Sequence, residues 1–381
     1  MKKLNLALCA IVVVSGVAQA QDLFAPKPIW SSGTAISGGD GIARFIDFDR
    51  DGDLDFVTAA PEPMRWVLYR NEGGKLSKEP FWESAATSDL DHVDVIDFNQ
   101  DGWPDLAATH ETYCTLYFNK QGKFDRLPDW QTGIITNANQ IDFADYDGDG
   151  DIDMVMASGP PIDGVAIFAN TTGTPAHEPT LKLGHSEYAE AAIFVDYDND
   201  GDGKLDVIAH YPSGKTVVYR NTDNRFNDGT VVFDDPNNAW TQRHYAFDLD
   251  GDGEAELFAA KGPWGNTGTS LQLVKQTGSE TLQVRWRSPA DTMIHAFEFA
   301  DVDGDGDVDV LASDYANGGR VYVYLNEEGR LADTPAQSIL ATGPVHEAVL
   351  GDIDLDGDLD LAVGGRDQAH IYENLSIVLS R

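Results

Sequence analysis

A nine-residue pattern, Asp-x-Asp/Asn-x-Asp-Gly-x-x-Asp/Glu, recurs seven times along this 381-residue chain, at intervals of 48 to 53 residues. The copies read DFDRDGDLD from Asp47, DFNQDGWPD from Asp97, DYDGDGDID from Asp145, DNDGDGKLD from Asp198, DLDGDGEAE from Asp248, DVDGDGDVD from Asp301 and DIDLDGDLD from Asp352. One acidic turn constrains little. Seven in register define a supersecondary unit stacked on copies of itself.

The loops carry the chemistry of a hard cation. Calcium takes six to eight oxygens, and carboxylates at alternate positions of a tight loop can wrap one ion. The oxygens on offer are those of Asp47, Asp49, Asp51, Asp53 and Asp55 in the first loop, and of Asp97, Asn99, Asp101 and Asp105 in the second. The third offers Asp145, Asp147, Asp149, Asp151 and Asp153, and the fourth Asp198, Asp200, Asp202 and Asp206. Strand alignment would start that fourth loop at Asp196 instead. Asp248, Asp250, Asp252 and Glu256 follow in the fifth, and Asp301, Asp303, Asp305, Asp307 and Asp309 in the sixth. Asp352, Asp354, Asp356, Asp358 and Asp360 complete the seventh. Without a cation, carboxylates this close repel by about 1 kcal/mol per pair even at the dielectric of water. The expected cofactor is therefore Ca2+, up to seven ions. An EF-hand would need a bidentate Glu at position 12 between helices. Position 12 here is Thr58, Ala108, Met156, Ala209, Ala259, Ala312 and Val363, each inside a strand-like run. The loops read as β-hairpin sites.

An apolar run follows each loop, such as LDFVTAA from Leu54 and LDLAVGG from Leu359, and a shorter one precedes it. A third run ends in Tyr/Phe-x-Asn at Asn71, Asn119, Asn170, Asn221, Asn326 and Asn374, and only the fifth unit departs, with LQLVKQTG. A fourth, more polar segment carries Trp82, Trp130, Trp240 or Trp286. Short apolar runs rich in β-branched residues and bounded by Gly and Asp read as strands. Four strands per unit in seven units predict an all-β, seven-bladed β-propeller of four-stranded blades, each with a calcium loop, because radial repetition accommodates identical units. The last unit is short of a fourth strand. KPIWSSG around Trp30 matches EPFWESA around Trp82, so the N-terminal segment is expected to close the last blade.

Residues 1–20 read as a Sec-type signal peptide: Lys2 and Lys3, an apolar run from Leu4 to Val14, and an Ala-x-Ala ending at Ala20. Bulky Leu8 before Cys9 argues against a lipobox. One propeller domain over 21–381, periplasmic or secreted and without a membrane span, is the expectation. Cleavage leaves Cys114 alone, so no intramolecular disulfide can form and Cys114 reads as a buried strand residue. The net charge of −38 excludes nucleic acid as a partner, since phosphate binding needs basic patches. About half of the 64 acidic residues lie in the loops, so the acidity is localised ligand chemistry.

Loops of this kind, followed by LDLAVGG-like and Tyr-x-Asn strands, resemble FG-GAP/VCBS repeats, the units of the integrin alpha-subunit-type seven-bladed propeller. The resemblance covers residues 40–376. It implies a calcium-stabilised propeller used for extracellular adhesion or for binding carbohydrate or protein. The Phe-Gly and Gly-Ala-Pro signatures themselves are mostly absent, with AAPEP near Pro61 a vestige. The family also includes domains attached to enzymes, so it does not by itself name an activity.

In each hairpin the strand ends opposite the loop face the other side of the ring. Six residues before the loops stand Gly41, Asp91, Asn139, Glu190, Gln242, His295 and His346, counting the fourth loop from Asp196. His92 and His244 lie beside them, and the second strands end at His110, Glu111, His210, Tyr211, Lys261, Asp314 and Arg366. His295, His346, His210, His244, His110 and Tyr211 are the candidate ligand-binding set. Three readings stand: polar ends that meet water, a mouth binding a glycan or protein, or the acid–base groups of an enzyme. The sequence carries no Ser/His/Asp order, HExxH, P-loop or CxxC motif. The functional expectation is a binding module; the alternative is a secreted polysaccharide lyase or hydrolase using these histidines.

Overall fold

The computed structural model describes residues 22–376 except 34–41, 61–62, 88–89, 111, 136–137, 139, 185–186, 198–202, 235–240, 262–271, 277–280, 289–291, 316–317, 342 and 365–367. The signal-peptide reading, Gly41, Glu111, Asn139, Asp198, Asp200, Asp202, Trp240 and Arg366 lie outside the described residues. All regular elements described are strands. They form seven four-stranded antiparallel sheets and two two-stranded ribbons. Numbered along the chain, sheets 1 to 6 span residues 43–83, 90–131, 141–183, 191–234, 241–287 and 294–340. Sheet 7 spans 348–372 and takes Trp30–Ser31 as its outermost strand, paired Trp30 to Ile371 and Ser31 to His370. The architecture is a β-propeller of four-stranded blades.

The second strand of each sheet lies between two strands in its own sheet and between neighbouring sheets on both faces. A strand covered on all sides should read as a continuous apolar run rather than an alternation. Asp55–Ala60, Asp105–His110, Asp153–Ser158 and Asp309–Asp314 are buried at every residue. The core accordingly consists of seven clusters, each drawn from two consecutive sheets. One joins Trp30, Val349, Ala362 and Ile371 of sheet 7 to Ala43, Phe56 and Tyr69 of sheet 1. Cys114 is buried, its Sγ 3.1 Å from the Met156 sulfur.

The recurrent Trp and Tyr-x-Asn positions together make the seams. Trp82 in the outer strand of sheet 1 stands edge-on to Tyr117 of sheet 2, with ring centroids 5.9 Å apart. Trp130 meets Phe168 of sheet 3 at 6.0 Å, and Trp286 meets Tyr324 of sheet 6 at 5.0 Å. Trp30 of sheet 7 meets Tyr69 of sheet 1 at 5.2 Å, repeating that geometry where the last sheet adjoins the first. Edge-to-face pairs of this kind contribute about 0.5–1.5 kcal/mol beyond area burial. The aromatic partner is always the Tyr or Phe of the Tyr/Phe-x-Asn motif, and its Asn works at the inner end of the same seam.

Candidate metal loops and axial channel

The acidic loops are held by their own backbone. In five of them the first Asp accepts at least two main-chain N–H groups, and in the third and sixth also that of Gly148 or Gly304. Its Oδ1 takes that of position 5 at 3.0–3.1 Å, from Asp101, Asp149, Asp252, Asp305 and Asp356. Its Oδ2 takes that of the position-6 Gly at 2.8–3.1 Å. That Gly sits at positive φ, between 88° and 101° in these loops, where a Cβ would be strained. The position-5 carboxylate in turn accepts the N–H of position 7, at 2.9 Å from Asp53 and Asp307.

The last acidic residue has a structural task as well. Its Oδ2 (Oε2 in Glu256) accepts the position-2 N–H at 2.8–3.3 Å, from Phe48, Phe98, Tyr146, Leu249 and Val302. Oδ1 of Asp55, Asp105, Asp153, Asp206, Asp309 and Asp360 accepts the N–H of the Asn that ends the third strand, at 2.7–3.0 Å. That Asn then reaches across the seam. Nδ2 of Asn119 donates to Phe48 O at 2.8 Å, Asn221 to Tyr146 O at 3.0 Å, Asn326 to Leu249 O at 3.3 Å and Asn374 to Val302 O at 3.1 Å. Asn71 of sheet 1 donates to Ile353 O of sheet 7 at 2.8 Å. Each acceptor is the position-2 carbonyl of the preceding sheet's loop.

Five loops gather three carboxylates whose nearest oxygens all lie within 4.8 Å of one another. In the first and seventh these are positions 1, 3 and 5: Asp47, Asp49 and Asp51, and Asp352, Asp354 and Asp356. In the third, fifth and sixth they are positions 1, 3 and 9: Asp145, Asp147 and Asp153; Asp248, Asp250 and Glu256; Asp301, Asp303 and Asp309. The second loop has Asn99 at position 3 beside Asp97, Asp101 and Asp105, and of the fourth only Asp206 among the proposed ligands is described. In the first and sixth loops the position-7 side chain points toward the following hairpin: Asp53 Oδ2 accepts Gly73 N–H at 2.5 Å and Asp307 Oδ2 accepts Glu328 N–H at 2.8 Å.

These donor sets suit a cation. They consist of oxygen alone, and the buried Asp47 Oδ1, Asp354 Oδ1 and Asp360 Oδ2 have no hydrogen-bond partner. Burial pushes the carboxyls of Asp105, Asp153, Asp309 and Asp360 up to about 7 and that of Asp55 to about 6, against their backbone donors. Burial and then the adjacent position-5 carboxylate raise Asp49, Asp147, Asp303 and Asp354. The protein alone does not offset the charge it concentrates here. Several of the loops could therefore hold a metal ion.

At the far strand ends the six candidate side chains are buried, none more than 6 % exposed, so they do not meet water. Their rings fall into separate groups. His295 and His346 lie 3.9 Å apart, with Tyr315 4.7 Å from His346. His210 and His244 stand edge-on at 5.3 Å. His110 stacks on Tyr113 at 4.2 Å and shares a hydrogen bond with Thr115. His210 Nδ1 is 3.1 Å from Thr216 Oγ1, and the Tyr211 hydroxyl is bonded to that of Tyr219 at 2.5 Å. Burial, then Tyr219, pushes the Tyr211 hydroxyl well above its ordinary range.

Beside them runs an ion-pair network that counting along the sequence misses. Arg44 of sheet 1 meets Glu347 of sheet 7 at 2.5 Å and Asp94 of sheet 2 at 3.5 Å. His92 bridges Asp94 at 2.9 Å and Glu347 at 3.1 Å, and Arg243 of sheet 5 reaches Glu347 at 3.4 Å. Burial would raise the Glu347 carboxyl, but Arg44, His92 and Arg243 hold it down at about 2. Gln140 of sheet 3 donates to His244 O at 2.7 Å and accepts His244 N–H at 3.1 Å. Together these contacts tie five sheets across the axis and border a cavity of about 450 Å³ lined in part by Arg44, His92, Asp94, Asp142, Arg243 and Tyr245. The reason for the miss is local. The first strands of sheets 2, 5 and 6 each slip register by one residue, passing over Asp91, Gln242 and His295. A bulge reverses the in–out alternation, so a fixed offset from the loop selects the wrong side chain.

Among the described residues, no helix is long and apolar enough to cross a membrane. In overall shape the chain is similar to the crystal structure of BBS1N in complex with ARL6DN, at 12 % identity and a TM-score of 0.63, covering 95 % of this chain and 99 % of that one. It is also similar to a chain of the crystal structure of the mitotic checkpoint complex, at 10 % identity and a TM-score of 0.59, covering 97 % and 99 %. Identities this low speak for the fold alone. No curated protein matches the chain. The family model for the FG-GAP-like repeat matches six times, over 47–108, 97–156, 145–202, 198–259, 248–312 and 301–363, each match running from one acidic loop into the strand beyond the next. With those matches overlapping from residue 47 to residue 363, the chain belongs to the FG-GAP-like repeat family.

Proposed function

We propose that this protein is an exported, calcium-stabilised propeller whose seven sheets close into one ring and which acts as an interaction module for a glycan or protein ligand. The observation that carries the calcium reading is the set of buried carboxylate oxygens without partners, Asp47 Oδ1, Asp354 Oδ1 and Asp360 Oδ2, within all-oxygen loops. Bound calcium would supply the positive charge these loops lack. The side chains of Asp47, Asp49 and Asp51 and of Asp352, Asp354 and Asp356 would hold it in the first and seventh loops, and those of positions 1, 3 and 9 in the third, fifth and sixth. Asp55 and its counterparts would brace the loop against the third strand.

The reading as an interaction module draws on the axial cavity. Its volume is in the range of small-ligand sites. The lyase or hydrolase alternative is less well supported. The Tyr211 hydroxyl is spent on Tyr219 and pushed up by burial, which unsuits it as a base near neutrality. Burial, then His346, holds His295 well below its ordinary range, in the neutral form. A glycan array run with calcium and with chelator, followed by a turnover assay on each hit, tests the module. Calcium-dependent capture without product supports it. Product formation abolished by His295→Ala would replace it with the enzyme.

A further inference from the structure

We infer that the hairpin following the Tyr/Phe-x-Asn strand in sheets 1 to 4 and 6 couples neighbouring metal loops, so that calcium fills the ring cooperatively. The inference rests on the calcium reading above. The hairpins read NEGGKL, NKQGKF, NTTGTP, NTDNRF and NEEGRL from Asn71, Asn119, Asn170, Asn221 and Asn326. In four of them Asn is followed three residues later by Gly.

Each of these hairpins touches two loops. In sheet 2, Asn119 N–H donates to Asp105 of its own loop at 2.7 Å, while its Nδ2 donates to Phe48 O of the first loop at 2.8 Å. Gly122 backs onto the first loop, where a Cβ would stand 3.4 Å from that of Asp49. In sheet 1, Asn71 and Gly73 donate to Asp55 and Asp53 of their own loop. Across the seam, Asn71 Nδ2 donates to Ile353 O, and a Cβ on Gly74 would lie 2.8 Å from Asp354 O. In sheet 6, Glu328 N–H holds Asp307 while Gly329 lies against Asp250 of the fifth loop. Positions 2 and 3 of one loop and positions 7 and 9 of the next are thus joined by a single short hairpin.

Position 3 is a proposed ligand, and position 2 is the peptide between two ligands. Drawing the carboxylates of Asp47 and Asp49 onto an ion resets the Phe48 carbonyl and the Asp49 backbone. Those are the groups on which Asn119 and Gly122 rest. Asn119 in turn fixes Asp105 and hence the second loop. The contacts run from each loop to the hairpin of the following sheet, with sheet 1 contacting the loop of sheet 7, and the coupling between neighbouring sites is reciprocal. The fifth unit, VKQTG from Val274, has no asparagine at the corresponding place.

Calcium titration of the chelator-stripped mature chain, followed by native mass spectrometry and calorimetry, tests the inference. The wild type should fill with few intermediates and a Hill coefficient above one. Asp47→Asn with Asp49→Asn should remove one ion and weaken the remaining sites by about fivefold, the worth of one hydrogen bond. In a background of Asn71→Ser with Asn119→Ser, the same loss should leave the remaining affinities unchanged. Equal weakening in both backgrounds, or none in either, overturns the coupling. If the serine variants do not fold, a wild-type Hill coefficient of one overturns it. Absence of any calcium binding would instead defeat the calcium reading, whereas stoichiometric but independent binding defeats the coupling alone.

Discussion

Trp30→Ala removes the side chain that joins the N-terminal segment of sheet 7 to sheet 1. Trp30 is 8 % exposed and packs edge-on against Phe56 at 5.7 Å and Tyr69 at 5.2 Å, and its Nε1 donates to Ser77 O at 3.1 Å. Truncating a buried Trp to Ala costs about 3–5 kcal/mol through lost transfer energy and the cavity left behind. The two edge-on contacts lie within that figure, and the indole hydrogen bond contributes about 1 kcal/mol of it. Against a total stability of about 5–15 kcal/mol, such a loss is large. Chemical denaturation of wild type and variant in saturating calcium, followed by far-ultraviolet circular dichroism, measures it through the midpoint at constant slope. Trp30→Phe keeps most of the packing and should cost only about 1–2 kcal/mol. A Trp30→Ala loss below about 1 kcal/mol, or a deletion of residues 21–36 that leaves stability and monomeric state unchanged, would refute the seam.

Three further outcomes follow from the same contacts. Gly329→Ala sets a Cβ against that of Asp250 at φ +79°, whereas Gly306→Ala at φ +101° meets open space. The first should cost more than about 2 kcal/mol and the second about 1 kcal/mol, read from denaturation midpoints. The Glu347 carboxyl, held at about 2 in the folded chain, stabilises the fold fully above its unfolded value near 4.5, and that contribution is lost as pH falls toward 2. Glu347→Gln should therefore flatten the acid limb between about 4.5 and 2 in chelator-treated protein, where calcium release adds nothing; an unchanged limb would contradict the pairing. His295→Ala with His346→Ala should abolish binding of any ligand captured at the axial mouth while the circular dichroism spectrum persists, whereas Asp145→Ala should lower stability and affect binding only indirectly.

Much of the fold was legible because the repeat is strict. The loop spacing, the continuously apolar second strands and the Trp30 likeness to Trp82 are local patterns whose meaning does not depend on distant residues. The Asn of Tyr/Phe-x-Asn was visible as a recurring letter, yet its role lies in the preceding sheet's loop, a partner about 70 residues away in most units and 282 for Asn71. The Gly three places later repeats four times and could have been found by aligning the units on the Asn. The axial network of Arg44, Asp94, Arg243 and Glu347 was hidden for a different cause. Arg44 and Asp94 stand three residues before their loops and Arg243 and Glu347 five, whereas an offset of six falls on the bulged Asp91, Gln242 and His295.

The most direct test of the account is thermal unfolding of the mature chain in about 1 mM calcium and in excess chelator. With a site affinity near 0.1 mM, each filled site adds about 1.4 kcal/mol, so a full ring adds on the order of 10 kcal/mol. Chelation should lower Tm by on the order of ten degrees or more, with magnesium restoring little. The same unfolding curve in calcium and in chelator would contradict the account.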